Sequence, residues 1–450
     1  MENFAQCLKA WMKSEKTSAS ALSERLQYKS KTTVLRILQE KSNGESCRRL
    51  YERLAPCLDE AWQLRFQNAL GLERLGVLRA GMVSAIHGQL FPDGAGAADP
   101  PRIQIPELEG GRLIVLGDPE MPDELLTRNE AVQAVHFMTD EELLNAPSLL
   151  SGVIRRLACG QYEAYMLPRE KLRGRHFTWN TVFYLPDDGK EPLWLLRGEE
   201  LAAWYPMPGG ADEVCRIEEA LRALAPVALY RYSKLTSGSD MMRFTQEAYR
   251  LERNRKAVII KPTPGMQMLP EAIVENAFKD YLARNSEPLT TAQGTLIATF
   301  EKRADNFWQR KKPTSLFFSA QAMLSFVQTG TLTDQFFALR PFTVEERIKC
   351  LKSLMNFVQR DGVTAVMQDG RIWPVSMEIY AGGGVLLYPS KTSYNTNRGA
   401  YRELLLPGRA FTELFAAYTD AFLFPEERNN EQFIAECRRL MNMAAALMRR

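Results

Sequence analysis

The stretch "ALSERLQYKSKTTVLRILQEKS", residues 21–42, carries two short apolar stripes separated by the polar run Tyr28-Lys29-Ser30-Lys31. Leu22 and Leu26 stand four apart, the spacing that puts two side chains on one face of a helix. Ser18 sits where a short side-chain oxygen can accept from an orphaned helical N–H, so a helix is expected from there to about Leu26. Ser23 is small enough to let a neighbouring helix approach. Ser30 has the same N-cap chemistry for a following helix whose stripe is Val34, Ile37 and Leu38. Upstream, Phe4, Leu8, Trp11 and Met12 recur at three- and four-residue intervals and predict an amphipathic helix over 3–14, with Lys9, Lys13 and Lys16 near its polar side.

The third helix is therefore held by its back and presents Lys31, Thr32, Thr33 and Arg36 at its front, with Lys29 just before and Lys41 just after. A single helix fits the major groove of duplex DNA, where its first residues reach base edges and neighbouring lysines reach phosphates. Local charge agrees with this use. Between residues 25 and 53, Arg25, Lys29, Lys31, Arg36, Lys41, Arg48, Arg49 and Arg53 are met only by Glu40, Glu45 and Glu52.

At this point residues 3–58 resemble the helix-turn-helix domain of Cro-like and phage-repressor-like transcriptional regulators. The matching positions are Leu22 and Leu26 in the first helix of the motif, then Thr33, Val34, Arg36 and Ile37 in the second. The family usually has glycine where Gln27 stands, and the turn from Gln27 to Val34 is one residue longer than usual. The resemblance implies a DNA-binding regulator. Its contacts would come from Lys29, Ser30, Lys31, Thr32, Thr33, Arg36 and Lys41. A helical hairpin packed on the rest of the chain, its lysines forming a solvated face, is the plainer alternative.

The whole chain has 450 residues, 45% hydrophobic and 25% charged, enough for two or three domains with buried cores. Net charge is only +3, so affinity for a polyanion must come from local clustering. Residues 45–57 read as helical, with Leu50, Leu54 and Cys57 inward. A longer helical stretch over 59–90 follows, with Trp62, Phe66, Ala69, Leu70, Leu78, Met82 and Ile86 at near-helical spacing and Gly71 and Gly76 as breakers. That stripe suits a dimer contact or docking on the next domain. Residues 91–111, "FPDGAGAADPPRIQIPELEGG", read as an exposed linker.

Beyond it a mixed α/β regulatory region (112–310) and an α+β region with an antiparallel meander (311–450) are expected, giving an α+β fold headed by an all-α domain over 1–58. Strand-like runs are 112–116, 131–137, 181–185, 193–196, 227–232 and 257–260, with helical patterns at 140–158, 212–225 and 270–284. In "VTAVMQDGRIWPVSMEIYAGGGVLLYPS", residues 363–390, Asp369-Gly370 and Gly382–Gly384 are turn signals for a three-stranded meander, flanked by helices at 344–360, 411–423 and 429–447. Thr139 with Glu142, and Thr343 with Glu346, have capping-box spacing.

Catalytic and metal signatures are sparse. The cysteines Cys7, Cys47, Cys57, Cys159, Cys215, Cys350 and Cys437 form no C-x-x-C pair, and His87, His136 and His176 have no helical i, i+4 partner, so neither a metal site nor a disulfide framework is expected. Gly382–Gly384 precede a strand where a phosphate cradle needs a helix, and no P-loop or nucleophile elbow occurs. Basic clusters at Lys171–His176, Arg250–Lys256 and Arg310–Lys312 suit an anionic effector, flanking phosphates or plain solvation. Trp179, Phe183, Tyr184, Trp194, Trp204, Tyr205 and Trp373 suit a pocket or a core.

With no signal segment and no apolar run of about 18 residues, the expectation is a cytoplasmic regulator with no cofactor and no membrane contact. Its partners would be double-stranded DNA, a second copy in a homodimer, and a small-molecule or protein effector sensed by the large region. Two rivals belong to other classes: an enzyme in the C-terminal region with an accessory head, and a protein-interaction scaffold.

Overall fold

The first three helices fall close to the expected spans: α1 is Phe4–Ser14, α2 Ala19–Arg25 and α3 Thr32–Leu38, followed by α4 at Gly44–Leu54 and α5 at Glu60–Leu75. The structure is a computed structural model, and it describes residues 3–42, 44–76, 79, 82, 83, 86, 110–117, 131–157, 161–173, 179–197, 202–232, 238–285, 291–333, 340–368, 375–389, 403–422 and 430–447. Asn3 and Gln6 form a reciprocal capping box on α1, and the Ser18 hydroxyl accepts from Ala21 N at 3.2 Å to start α2. Ser30 departs from expectation. Its hydroxyl accepts from Thr32 N at 3.3 Å, but the N-cap position of α3 is Lys31, so the serine closes the turn before the helix and does not cap it.

Each of these three helices ends the same way. The pairs Thr17 N→Met12 O (3.0 Å) and Lys16 N→Lys13 O (3.3 Å), Tyr28 N→Ser23 O (2.8 Å) and Gln27 N→Glu24 O (3.0 Å), and Lys41 N→Arg36 O (2.9 Å) and Glu40 N→Ile37 O (2.9 Å) are successive Schellman closures. The residue that must turn left-handed is Lys16, Gln27 or Glu40, at φ 51°, 57° and 59°. Gln27 thus takes a left-handed conformation that glycine adopts without strain, at a cost of about 1 kcal/mol.

Phe4, Leu8, Trp11, Leu22, Val34, Ile37, Leu50 and Leu54 close around Phe66 and Ala69 of α5, so the core of the head extends past residue 58. Cys47 is buried there and Cys57, expected inward, is exposed, because the chain leaves α4 through the 3-10 turn Ala55–Cys57 and carries the thiol outward. Gly76, at φ 86°, ends α5, whereas Gly71 lies within it. Beyond that, Met82, Val83 and Ile86 are at most 2% exposed in the core under the sheet, so this segment docks on the bulk of the chain. Leu78 and residues 91–109 of the linker expected over 91–111 lie outside the described residues, and its last residue, Gly111, already begins the first strand.

Among the described residues, thirteen strands then form one sheet. The first half supplies β1 (Gly111–Leu116), β2 (Val132–Thr139), β3 (Tyr162–Leu167), β4 (Thr181–Pro186), β5 (Leu193–Arg197) and β6 (Ala202–Pro206), with β7 (Val227–Tyr232) beside β3. The second supplies β8 (Ala257–Lys261), β9 (Thr314–Phe318), β10 (Val363–Met367), β11 (Val375–Tyr380), β12 (Gly384–Pro389) and β13 (Glu403–Pro407). In each half three strands run parallel, a fourth pairs antiparallel with the first of them, and two more follow as a meander. The orders are β3-β2-β1-β4-β5-β6 and β10-β9-β8-β11-β12-β13. Strand β7, antiparallel to both β3 and β13, joins the halves.

The helices repeat as well. In the first half α6 (Asp140–Asn145) and α7 (Pro147–Arg156) link β2 to β3, α8 (Gly210–Arg222) follows β6, and α9 (Gly238–Glu252) leads into the second half. There α10 (Glu271–Asn285) and α11 (Thr291–Trp308) link β8 to β9, α12 (Ala320–Thr329) and α13 (Val344–Val358) link β9 to β10, α14 (Arg409–Phe422) follows β13, and α15 (Asn430–Leu447) ends the described chain. Thr139 caps α6 directly after β2, and Ser319 caps α12 directly after β9. Gly209 (φ 88°) starts α8 and Gly408 (φ 96°) precedes α14 at the same place in each half.

Several expectations need correction. β10 lies at the far end of the sheet, parallel to β9, so the meander is β11-β12-β13. The turn at Ala381–Gly383 is a hairpin turn as expected, and Asp369 and Gly370 fall outside the described residues. The helix expected over 140–158 is two, broken at Ala146-Pro147, since proline cannot donate within a helix. Strands β3, β6, β9 and β13 were not legible as strands. The division at 310/311 falls between α11 and β9, within one continuous sheet where β8 pairs with β9.

Candidate nucleic-acid interface

On the head, Lys29, Ser30, Lys31, Thr32, Arg36 and Lys41 are exposed and Thr33 is half-buried, while Val34 and Ile37 on the opposite side of α3 are sealed in the core. The helix is held by its aliphatic back, and Thr32 and Arg36, four apart, stand on its exposed side. The turn before it is clamped: Arg53 donates to Leu26 O at 3.1 Å and lies over the Tyr28 ring at 4.7 Å. The Ser23 hydroxyl donates to Ala19 O at 2.7 Å and the residue is 4% exposed, which lets the helices pack closely.

The structure sorts the cations that the sequence only counts. Arg48 pairs with Glu52 and Arg49 with Glu45, both at 3.0 Å across one turn of α4, and Arg53 is spent on the turn. Lys29, Lys31, Arg36 and Lys41 have no ion-pair partner among the described residues. Positive charge without an ion-pair partner among the described residues therefore remains at α3 and its two flanking turns, as it does at Arg25 and at Lys9, Lys13 and Lys16.

The large region shows a different use of polar groups. His136 on β2 is fully buried, with Nδ1 2.6 Å from Tyr162 Oη and Nε2 2.6 Å from Gly117 O. The tautomer that satisfies both has Nε2–H donating to the carbonyl and Nδ1 accepting from the phenol. Burial, and then the nearby Arg156 charge, push the imidazole down to about 3, so it is neutral and fully satisfied. It is a core histidine. His87 and His176 lie outside the described residues.

In the second half, Lys261 at the end of β8 meets Glu378 of β11 at 2.9 Å, and Gln267 donates to the same carboxylate oxygen at 2.7 Å. Arg303 of α11 bridges Glu378 at 3.2 Å and Glu252 of α9 at 2.5 Å, while Tyr380 Oη donates to Glu378 at 2.7 Å. Every one of these side chains is at most 4% exposed. Burial pushes the Glu378 carboxyl up, but Lys261 and Arg303 more than offset this and hold it at about 2. Burial and the Glu378 charge raise Glu252 despite Arg303. Gly265 closes the cluster: a Cβ there would come within 2.7 Å of both Lys261 Nζ and Gln267 Oε1. Sequence reading missed this network. Ser376, Glu378 and Tyr380 alternate with Met377 and Ile379, a pattern that reads as a half-solvated strand, yet α9 and α11 cover the polar side.

The basic clusters are divided. Lys171 donates to Leu224 O at 2.6 Å, whereas Arg175 and His176 are not among the described residues. Arg250–Lys256 and Arg310–Lys312 come together beside the starts of the neighbouring strands β8 and β9, Arg310 donating to Arg255 O at 2.7 Å. The aromatic residues mostly make core: Phe183 stacks on Trp194, and the indoles of Trp179 and Trp194 donate to Glu142 and Thr181. Tyr205, 50% exposed, is an exception on the edge strand β6, and Trp373 lies outside the described residues. Burial pushes the Cys350 and Cys437 thiols up to about 12, so both are inert. Among the described residues no group of three or more His, Cys, Asp or Glu is placed to hold a metal, and no helix is long and apolar enough to cross a membrane.

No family model matches this chain, and no curated protein matches it. Among solved structures, phosphatidylserine synthase from Haemophilus influenzae Rd KW20 aligns with 10% identity over 82% of this chain and 91% of that one, at a TM-score of 0.22. A likeness at that score carries no argument about fold or activity.

Proposed function

We propose that the chain is a cytoplasmic DNA-binding transcriptional regulator, in which the helical head reads duplex DNA and the large α+β region sets when it does so. One observation carries the reading: an uncompensated cationic, hydroxyl-bearing rim on α3 faces outward while Val34 and Ile37 anchor its back. Thr32, Thr33 and Arg36 would contact base edges, and Lys29, Lys31 and Lys41, with the Ser30 hydroxyl, would contact phosphates. Two heads on a homodimer would address half-sites about 10 base pairs apart.

Chromosomal occupancy of the intact protein gives the site, and titration on that duplex tests the roles. Arg36→Ala is expected to weaken cognate binding by about 1–3 kcal/mol, as loss of a bidentate base contact does. Lys29→Ala should weaken binding to all sequences and flatten the salt dependence. Unchanged affinity in an Arg36→Ala, Lys31→Ala double variant at low salt would sink the proposal.

A further inference from the structure

Two of the basic clusters meet at one end of the second half. Arg253, Arg255 and Lys256 precede β8, and Arg310, Lys311 and Lys312 precede β9, its parallel neighbour. Arg360 stands in the next loop of the row, before β10. Main-chain bonds lock these loops into the sheet: Ala257 N donates to Pro313 O at 3.0 Å, Thr314 N to Gly362 O at 2.9 Å and Ala381 N to Lys256 O at 3.0 Å. Arg310 reaches across to Arg255 O, and Arg360 to Trp308 O. Arg255 lies against the bare backbone of Gly383, where a Cβ would come within 2.9 Å of its Nε. The cations are thus presented by a rigid frame.

The fold leaves them unbalanced. Among the described residues, the cations before β8 and β9 have no ion-pair partner, and Asp361 is the one acidic residue in the three loops. Elsewhere exposed arginines find a carboxylate one turn away, as Arg216, Arg250, Arg409 and Arg439 do. The interior behind the loops gives no compensation, since Glu252 and Glu378 are already matched by Arg303 and Lys261. Arg255 and Arg310 are half-buried, and their Nε–H groups have no acceptor. Half-buried charge without a partner is costly until an external anion supplies one.

We infer that this basic end of the sheet binds the phosphodiester backbone of duplex DNA, without reading its sequence, as a second contact outside the head. The three loops span about 10 Å at roughly 4.8 Å per strand, and a duplex carries one charge per about 1.7 Å of axis, so several phosphates are faced at once. A row of charges across adjacent strands suits an extended polyanion, whereas a lone phosphate needs them to converge. Among the described residues no exposed large apolar side chain lies in these loops, which disfavours a lipid surface. That the duplex is the one the head reads rests on the regulator reading, and attraction to its backbone does not.

Fluorescence anisotropy of the full chain on a duplex of arbitrary sequence, across a salt series, tests the site. The double variant Lys311→Ala, Lys312→Ala changes two exposed side chains. It is expected to weaken binding about tenfold at low salt and to lower the slope of log affinity against log salt by about 2. Unchanged affinity and slope overturn the site, as does failure of Lys311→Arg, Lys312→Arg to retain both. Displacement of the duplex by poly-glutamate or phosphatidylserine vesicles at lower charge concentration than by unlabelled duplex overturns the choice of DNA. A head variant, Lys29→Ala, Lys31→Ala, separates the two readings. If it binds arbitrary duplex normally while the Lys311→Ala, Lys312→Ala protein is weakened, the head assignment fails and this site stands, and the reverse result sinks this site alone.

Discussion

The two halves of the sheet share a strand order and differ in what they bury. At the His136 strand the first half hides a neutral pair, His136 and Tyr162, with every hydrogen-bonding atom of the imidazole satisfied, while its buried Glu218 is met by the part-exposed arginines Arg112 and Arg222. The second hides charge: Lys261, Arg303, Glu378 and Glu252, with Tyr380 and Gln267 completing the set. A common topology therefore leaves the treatment of interior polarity open. The neutral arrangement avoids ionic desolvation but is vulnerable to a proton, whereas the charged one tolerates mild acid and depends on every partner being present.

The largest effect should come from removing one partner of the charged set. Glu378→Ala leaves Lys261 and Arg303 buried without their shared carboxylate and is expected to cost about 3–5 kcal/mol in urea unfolding. A loss below about 1 kcal/mol would show that water enters the cluster, and the contrast between halves would vanish.

Acid should separate the halves next. The His136 imidazole is held at about 3 against an ordinary 6.5, so its stabilisation is complete above 6.5 and is lost as pH falls toward 3. Glu378 is held at about 2 against 4.5, so its stabilisation is complete above 4.5 and fades only below that. Between pH 6.5 and 4.5 the first half thus loses up to about 2–3 kcal/mol, while Glu252, raised above its ordinary 4.5, moves the second half the opposite way as pH falls. His136→Gln, with no proton to take up, should flatten the dependence of the urea midpoint on pH in that window. A slope that persists in the variant assigns the titration elsewhere.

Two matched pairs give smaller effects. Gly209→Ala and Gly408→Ala force a Cβ into left-handed backbone, 3.0 Å from Glu213 Cβ and from Met166 Cε respectively, and each should cost about 1–2 kcal/mol. Thr139→Ala and Ser319→Ala remove equivalent caps for about 1 kcal/mol each, with Thr139 the costlier because Glu142 reaches back to its backbone N–H at 2.8 Å. Losses in both members of each pair would support duplication of a structural unit, and a silent member would mark where the halves have diverged.

The head was the most legible part of the sequence, because helical period, caps and short connections are all local. Phe4, Leu22, Val34 and Ile37 reported their burial through spacing alone. The duplicated sheet was not legible, since its repeat resides in pairings between distant segments and no residue pattern recurs. β9, "TSLFF", and β13, "ELLLP", are buried on both faces and carry no alternation to announce a strand. The charged cluster escaped for a related reason. Lys261 and Glu378 are 117 residues apart by their numbers, and only the β8–β11 pairing brings them into contact. For the interface, the residues were named from sequence, but only the structure showed which arginines of α4 are already paired.

Helix α5 serves two interiors at once, filling the head with Phe66 and Ala69 and resting its length on α14. Heat or denaturant cannot melt the head without stripping a flank from the sheet-covering helix. The molecule should therefore come apart in a single calorimetric transition, and a head cut off at residue 58 would be a molten fragment.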